Sequence, residues 1–530
     1  MRSSPTCTGL VLLAAAGPAL TPPAAATPSA VRPGPTQEAG SRAAPGAPEA
    51  VEPPAFELFL EEALGLATRN NLGLERASIE SEIARYETVS AYGAFDWIFD
   101  VRGSYSDSEI EGATFLSGGS VVNTEQFRVD VDITRPLTWG GSFNLHFDTQ
   151  QSKTDNELFN APEQFEDNLR VSYVQPLLRG FGYDETLEPV RRARIAEKQR
   201  DEDRRSARQT LLRDVEVAYW ELVAAGEQLD VAQSALTLGF SQVEREEARL
   251  RAGDGTEVDI LQARADVAMR QEALLQAQND VAAREDDLKR LMFNDGDPTR
   301  WDTPITVRTE LPEARDATGA LDVHWMDAYQ VAVQRRPDLR NARHDVDAAR
   351  LAWGRARSER LHGLDLELGA SSNGVDTEFQ GAFRDASEFR FPTISAAIAY
   401  NMPLQNRAAS GAEQSARARL RASQVALDES ELAALAEIRG ALREVRFRAQ
   451  AVVAAEQSLE LAERQLEAER RRFEAELSTT FQVLEFQQTM IESRSTRIRA
   501  RVEYAKARAA LALSLGSTGE RSGLLPVRTR

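Results

Sequence analysis

The feature that most constrains the fold is a heptad pattern of small and apolar residues that occurs twice, 223 residues apart. In each copy the pattern steps alternately by four and three residues, which is the spacing of one face of a long helix in a coiled coil. The first copy consists of Leu211, Val215, Ala218, Leu222, Ala225, Leu229, Ala232, Leu236, Gly239, Val243, Glu246 and Leu250, and the second of Ala434, Ile438, Ala441, Val445, Arg448, Val452, Ala455, Leu459, Ala462, Leu466, Glu469 and Phe473. The sequence therefore predicts two matching helices that arose by duplication.

Each heptad helix is roughly 65 residues long, or about 100 Å, so it must pack along other helices rather than within one globular core. A break follows each helix, at residues 252–256 in the first copy and at 477–480 in the second. Apolar residues at helical spacing resume after each break, for example at Ile260 and Val267 and again at Val483 and Met490. We predict one antiparallel helical hairpin per copy, with a tight tip at each break.

Before each heptad helix the apolar period changes to two, which is typical of strands with one apolar and one polar face. We predict strands at 97–107, 126–135, 141–151 and 167–175 in the first copy and at 364–372 and 393–402 in the second. The segments 108–124, 152–166 and 373–391 are expected to be long polar loops, opposite the short turn 135–141. This asymmetry and a strand length of about ten residues suit an outer-membrane barrel, although a soluble β-sandwich is the alternative interpretation.

The N-terminus has the pattern of an export signal. Arg2, the apolar stretch 9–16 and the small residues 24–26 predict a signal peptide over residues 1–26. Residues 27–54 are rich in Pro, Ala and Gly and are predicted to be a flexible leader. Cys7 is the single cysteine and is expected to leave with the signal, so no disulfide is predicted. An apolar run of about 18 residues, which would indicate a membrane-spanning helix, does not occur.

The boundaries of the two copies follow from these patterns. We predict a first structural repeat at 55–293, an inter-repeat equatorial segment at 294–325, a second repeat at 326–516 and a C-terminal tail at 517–530. The first copy is 42 residues longer between its opening helix and its heptad helix, which corresponds to one extra hairpin. Six strands cannot close a wide pore in one subunit, and a barrel edge open to lipid would leave backbone groups unpaired, so several subunits are expected to share one barrel in cyclic symmetry.

Two halves, each with the order helix, strands, long helix, tip and long helix, resemble the TolC-like outer-membrane efflux protein family. Short segments agree with that family's pattern: residues 60–71 and 326–339 with its opening helix, 175–182 and 402–404 with its strand-to-helix junction, and 257–263 and 481–486 with the start of its return helix. The resemblance implies a fold that is mainly α with a β-barrel segment. Duplicated helical hairpins would form a long periplasmic α-barrel, continued by outer-membrane β-barrel strands and closed by trimerisation.

The resemblance also implies the function and the partners. The chain would be the outer-membrane channel subunit of a tripartite efflux or type I secretion system, a passive exit duct opened at its periplasmic helical tips. Its partners would be two further copies in a homotrimer, a periplasmic adaptor protein, an inner-membrane transporter and outer-membrane lipid. The extra hairpin departs from the family's usual four strands per subunit. It either widens the barrel to eighteen strands or lies outside it, and we favour the wider barrel. The transported substrate cannot be inferred from the sequence.

Two groups of residues are candidate functional residues on the basis of the same resemblance. The candidates for a periplasmic constriction are Asp259, Gln262, Gln482 and Glu485. The resemblance implies acids at the second tip, where Gln482 is an amide instead, and the carboxylates of Asp259 and Glu485 from three subunits would form a ring that favours cations. For Asp259 and Glu485 the alternative is an acid in the first turn of a helix, favoured by the helix dipole. The candidates for adaptor docking at the tips are Arg251, Gly253, Gly255, Thr256, Leu477, Ser478 and Thr479, and ordinary turn chemistry is the alternative for these.

Several classes of function are disfavoured. The net charge of −20 argues against nucleic acid as a partner, because duplex binding needs a basic surface. The four histidines have no metal-ligand spacing, and neither a phosphate loop nor a nucleophile elbow is present. We therefore predict no enzyme activity, cofactor or metal. A periplasmic coiled-coil scaffold without a pore is the alternative function.

Overall fold

The computed structural model describes residues 56–111, 121–155, 161–182, 186–253, 256–312, 324–475 and 477–518. The predicted signal peptide, the predicted leader, Gly255 and most of the predicted C-terminal tail lie outside these described residues. Within them the fold is mainly helical with one large sheet, as the sequence predicted.

The first repeat begins with a short strand and two helices, continues through four strands and ends in a helical hairpin. Its elements are β1 (Phe56–Leu58), α1 (Leu60–Asn70), α2 (Leu72–Tyr92), β2 (Ile98–Glu111), β3 (Val121–Pro136), β4 (Ser142–Thr154), β5 (Glu163–Pro176), α3 (Glu188–Ala252) and α4 (Glu257–Met292).

A short helix and strand follow, and then the second repeat gives the same order with two strands in place of four. The elements are α5 (Pro298–Asp302), β6 (Ile305–Val307), α6 (Trp325–Arg335), α7 (Pro337–Glu359), β7 (Gly363–Asp376), α8 (Phe379–Ser387), β8 (Pro392–Asn401), α9 (Arg407–Glu474) and α10 (Thr480–Ser514).

Helices α3 and α9 carry the two heptad seams and have 65 and 68 residues. Each seam packs against the return helix of its own hairpin and buries residues such as Val215, Leu222, Ile438 and Val452. Small residues within the seams let the helix axes approach closely, which lets helices of this length pack side by side. Among the described residues, no helix combines the length and apolar character needed to cross a bilayer.

In the middle of the molecule, the short strands β1 and β6 pair with each other and are hydrogen-bonded to helix α3. Strand β1 pairs in parallel with β6. The fully buried Tyr219 of α3 donates a hydrogen bond to the Leu58 carbonyl oxygen at 2.9 Å and accepts one from the Thr309 amide at 3.1 Å. This buried hydroxyl therefore fixes both short strands to the long helix, as expected for a polar group that must be paired in a core.

A cluster of polar contacts around Arg336 links the beginning of the second repeat to its end. The Arg336 guanidinium forms ion pairs with Asp338 and Glu437, each at 2.7 Å, and donates to the Ser514 carbonyl oxygen at 3.1 Å. Burial alone would raise the pKa of the Asp338 carboxyl, but the hydrogen bond and charge of Arg336 outweigh it and hold that pKa below its usual range. The cluster therefore fixes the start of α7 to the middle of α9 and to the end of α10.

All six long strands form one antiparallel sheet in the order β2-β3-β4-β5-β7-β8. The extra hairpin of the first repeat therefore belongs to the same sheet as the other strands. Several strands are longer than the alternation indicated: the β2–β3 ladder continues to the pair of Glu111 with Val121. Backbone pairing does not require apolar side chains, so the polar ends of these strands were invisible to a pattern based on hydropathy.

The two faces of the sheet differ sharply in chemistry. Because side chains alternate along a strand, the register places apolar residues in continuous rows on one face and charged residues on the other. The apolar face includes Phe99, Val101, Val131, Ile133, Leu145, Phe147, Leu169, Val171 and Ala370, and the polar face includes Asp100, Arg102, Asp130, Asp132, His146, Asp148, Asn168 and Arg170.

The sequence interpretation of 373–391 as a polar loop was wrong, because this segment contains the end of β7 and the helix α8. Helix α8 lies on the apolar face of the sheet, where Phe383 meets the Phe147 ring at 5.6 Å and Phe379 meets Phe165 at 6.3 Å. A side chain at Gly374 would collide with the Ala382 carbonyl oxygen, so glycine allows the close approach. The segment was misjudged because only two aromatic residues and two alanines of α8 face the sheet.

Replacing Gly374 tests how α8 is held. The substitution Gly374→Ala is expected to displace α8, because the new methyl group has no space beside Ala382. Trypsin cleavage after Arg384 and Arg390 should become about tenfold faster, since protection from proteolysis follows local stability. The matched control is Gly103→Ala in β2, where no atom lies within 4 Å of the added methyl group and the cleavage rate should not change. Equal rates in the two variants would contradict this packing.

Candidate functional site

The tip of the first hairpin is a capped turn. Gly253 ends α3 with a φ of 89°, a backbone conformation that glycine adopts without strain. Thr256 caps α4 by accepting a hydrogen bond from the Asp259 amide at 3.3 Å, and Asp259 in turn accepts hydrogen bonds from the Thr256 amide at 3.1 Å and hydroxyl at 2.7 Å. Asp259 therefore completes a capping box, which is the first-turn role that the sequence left open for it.

The tip of the second hairpin is built differently. Thr479 caps α10 by accepting a hydrogen bond from the Gln482 amide at 3.4 Å. Ser478 contacts the Gln482 side chain at 3.0 Å and also donates to Glu469. Leu477 is exposed beside this turn. The described candidates for docking, which are Arg251, Gly253, Thr256, Leu477, Ser478 and Thr479, thus lie in the two turns that end the hairpins.

A buried polar cluster lies directly behind the tips, and the sequence analysis missed it as a site. Glu246 is 1% exposed and accepts hydrogen bonds from Gln242 at 2.6 Å and from Thr480 of the second hairpin at 3.0 Å. Arg249 lies 3.5 Å from its other carboxylate oxygen. The sequence did contain an indication of this cluster, because both heptad seams have a glutamate, at positions 246 and 469, where an apolar residue is expected.

Farther from the tips, an open groove of about 1070 Å³ lies between α4 and α10 with α3 as its floor. Gln262 and Glu485 line it together with Asp266, Asp280 and Glu492, whereas Asp259 and Gln482 are not among its lining residues. Two of the four constriction candidates therefore share one surface. Its acidic side chains would raise the local concentration of cations.

A buried arginine holds the helices around this groove. Arg270 is 6% exposed and donates hydrogen bonds to the Ala235 carbonyl oxygen at 2.6 Å and to the Gln487 side chain at 3.3 Å. Its Nε atom lies 2.6 Å from a carboxylate oxygen of Asp266. One guanidinium therefore links α3, α4 and α10, and it neutralises one of the acids at the groove.

The polar face of the sheet carries a connected network of charges. His146 contacts Asp132 at 2.9 Å and Asp148 at 3.1 Å. Asp148 also accepts a hydrogen bond from Asn168 at 3.1 Å and lies 3.3 Å from Arg128. Such a network is stable next to water, but placing it next to lipid would cost free energy because its charged groups would lose their hydration. In the part of the chain that the structure describes, no three His, Cys, Asp or Glu side chains form a group able to hold a metal ion.

Two helical hairpins of this length, joined to a sheet with one apolar and one charged face, define a channel protein of the outer membrane. The chain belongs to the outer membrane efflux protein family, whose model matches residues 124–292 and 328–517. The first matched segment runs from β3 to the end of α4 in the first repeat, and the second covers nearly all of the second repeat.

Among individual relatives, the chain is similar to the alkaline protease secretion protein AprF of Pseudomonas aeruginosa. The two sequences are 25% identical over 279 residues. This alignment covers 51% of the chain and 53% of AprF, so the chain spans about half the length of this relative.

The fold is similar to that of several solved outer-membrane channels. The Campylobacter jejuni channel CmeC superposes with a TM-score of 0.64 at 16% identity, over 88% of this chain and 87% of CmeC. VceC of Vibrio cholerae superposes with a TM-score of 0.61 at 17% identity, over 86% of this chain and 96% of VceC. At such low identity these similarities establish the fold alone.

The buried cluster behind the tips can be tested by removing its carboxylate. In Glu246→Ala, the partners Gln242, Thr480 and Arg249 lose their shared acceptor, which should destabilise the tips locally by about 2 kcal/mol. Hydrogen exchange of the amides in residues 240–262 should accelerate about thirtyfold. The control Glu244→Ala removes an exposed acid two residues away and should leave these rates unchanged. Similar exchange in both variants would mean that the cluster does not hold the tips.

Proposed function

We propose that three copies of this chain close into a passive exit duct across the outer membrane, the channel of a tripartite efflux or type I secretion system. The observation that carries the proposal is the single six-stranded sheet with an apolar face, a charged face and two unpaired edge strands. Strand β8 is exposed along its whole length, and Ile394 is 85% exposed. An edge of this kind requires a partner strand in a membrane.

Pairing of β8 of one subunit with β2 of the next satisfies both edges at once. Three subunits with six strands each would form a barrel of eighteen strands. In that barrel the apolar side chains that α8 leaves uncovered would face lipid, and the network around His146 and Asp148 would face the water inside. The charged network supports this orientation, because buried in lipid it would be strongly destabilising.

The helical hairpins would continue the duct into the periplasm, with the tips at its inner end. We propose that a periplasmic adaptor docks at the turns that contain Arg251, Gly253 and Thr256 and at those that contain Leu477, Ser478 and Thr479. Gly255 belongs to the same proposal from its position in the sequence. The exposure of both turns and the rigid caps behind them support this assignment. An inner-membrane transporter would supply the energy, so the chain itself is proposed to carry out no catalysis.

The constriction is proposed to lie at the acidic groove between α4 and α10, with Gln262 and Glu485 on its lining. Asp259 and Gln482, one turn nearer the tips, would stand at its entrance. A ring of Glu485 carboxylates from three subunits would favour cations over anions.

Reversing one charge in the groove tests this assignment. In Glu485→Lys the ratio of cation to anion permeability, measured from reversal potentials in planar bilayers, should fall about twofold or more, because each pore would change by six charges. The control Glu244→Lys changes the same charge on the face of α3 opposite the groove and should leave the ratio unchanged. If both variants kept the original selectivity, the groove would not line the ion path.

Purified protein in detergent tests the duct itself. We expect a mass of three chains and discrete conductance steps after reconstitution into planar bilayers. The competing function, a periplasmic coiled-coil scaffold, predicts instead that the protein stays soluble without detergent and gives no conductance. That result would overturn the proposed duct.

A further inference from the structure

Along the seam where α3 of the first repeat packs against α10 of the second, the two helices border a pocket of about 290 Å³. Gln228 of α3 donates a hydrogen bond to Ser495 of α10 at 2.8 Å, which fixes the helices to each other at this level. The buried side chains of Val231 and Ile498 form the apolar base of the pocket. The remaining lining residues are polar: Glu227, Asp230 and Ser234 from α3, and Arg494, Arg497 and Arg501 from α10.

The pocket lies on the other side of this seam from the acidic groove. Arg494 follows Glu492, a residue of the groove, by two positions, which is about 200° around a helix. The two sites therefore open on opposite sides of α10. In the proposed duct, where the groove lines the ion path, the pocket would open to the periplasm.

The charges in the pocket are not neutralised by one another. The Nε atom of Arg497 is buried and has no hydrogen-bond partner in the part of the chain that the structure describes. Arg501 donates a hydrogen bond to the Leu311 carbonyl oxygen at 2.6 Å, and this neutral acceptor does not cancel its charge. On the α3 side, no cationic group among the described residues lies within 4.0 Å of the Glu227 or Asp230 carboxylate.

Elsewhere on the same helices, opposite charges do meet. Glu221 of α3 lies 3.1 Å from Lys506 of α10, and Arg494, which also lines the pocket, lies 3.6 Å from Glu463 of α9. The two acids of α3 and the other two guanidiniums of α10 instead stay apart, with a cavity between them. Polar groups that are shielded from water and unpaired cost free energy, so this arrangement indicates a ligand that satisfies both sides.

We propose that this pocket binds the zwitterionic head group of an amino acid. The carboxylate of the ligand would accept hydrogen bonds from Arg497 and Arg501, because a guanidinium matches the planar geometry of a carboxylate. The ammonium group would donate to Glu227 and Asp230. A water molecule takes up about 30 Å³ of liquid, so the cavity has room for roughly nine waters, or for one small amino acid.

A ligand held in this way would join the two repeats. One of its charged groups would bind α3 and the other α10, so it would add to the contact between Gln228 and Ser495 and raise the unfolding temperature of the chain. Free amino acids and short peptides both carry an ammonium and a carboxylate group, and they differ in the distance between the two. Both are therefore sources of the required chemistry.

Isothermal titration calorimetry on the purified full chain in detergent tests the chemistry of the ligand. We expect alanine or alanyl-alanine to bind with a dissociation constant below about 1 mM. N-acetylalanine and alaninamide each lack one of the two charges and should bind at least about tenfold more weakly, because charge-assisted hydrogen bonds on one side are lost. Tighter binding of alanine assigns the site to free amino acids, and tighter binding of alanyl-alanine assigns it to short peptides. The inference is overturned if neither binds at about 10 mM, or if N-acetylalanine or alaninamide binds equally well.

Two substitutions locate the binding site. In Arg497→Gln and in Glu227→Gln, the same ligand should bind at least about tenfold more weakly. The matched controls are Arg499→Gln and Glu244→Gln, which change exposed residues of the same two helices outside the pocket and should leave binding unchanged. If a folded pocket variant bound the ligand as tightly as its control, the ligand would occupy another place and the inference would fail. The comparison of ligands on the unaltered chain still decides the question where a variant does not fold, and neither test depends on the proposed duct.

Discussion

Side-by-side packing of helices along seams of small and apolar residues is the interaction on which the rest of the structure depends. A helix of 65 residues has no core of its own, and its stability comes from the faces that it buries against neighbours. In each repeat one seam is buried inside the hairpin, and between the repeats a second seam joins α3 to α10. Everything at the tips, including the caps and the buried Glu246, is positioned by these contacts.

The sheet is also incomplete within one chain, because its two edge strands have no partner among the described residues. Its strands satisfy each other's backbone groups except at β2 and β8, and its two faces suit lipid and water. Two edges of the sheet are therefore left open. In the proposed duct, the addition of identical subunits around an axis would pair these edges and bring the hairpins side by side.

The sequence analysis succeeded where a feature repeats over many residues. The two heptad seams, the six alternating segments and the order of elements in each half are long signals, and each predicted the element that the structure contains. It failed where a feature depends on a few residues. Helix α8 was taken for a loop, and Glu246 was noted only as an exception in a seam, because nothing in a linear pattern indicates that Thr480 would lie 3.0 Å away.

The sequence by itself determined the duplication, the helical hairpins with their tips and the amphipathic strands, because periodicity is set by local backbone geometry. Only the tertiary structure decided that the extra hairpin joins the common sheet and that Gln262 and Glu485 share one groove while Asp259 serves as a cap. These outcomes depend on contacts between residues far apart in the chain. Such contacts are fixed by the register of packed helices and paired strands, which hydropathy along the sequence does not encode.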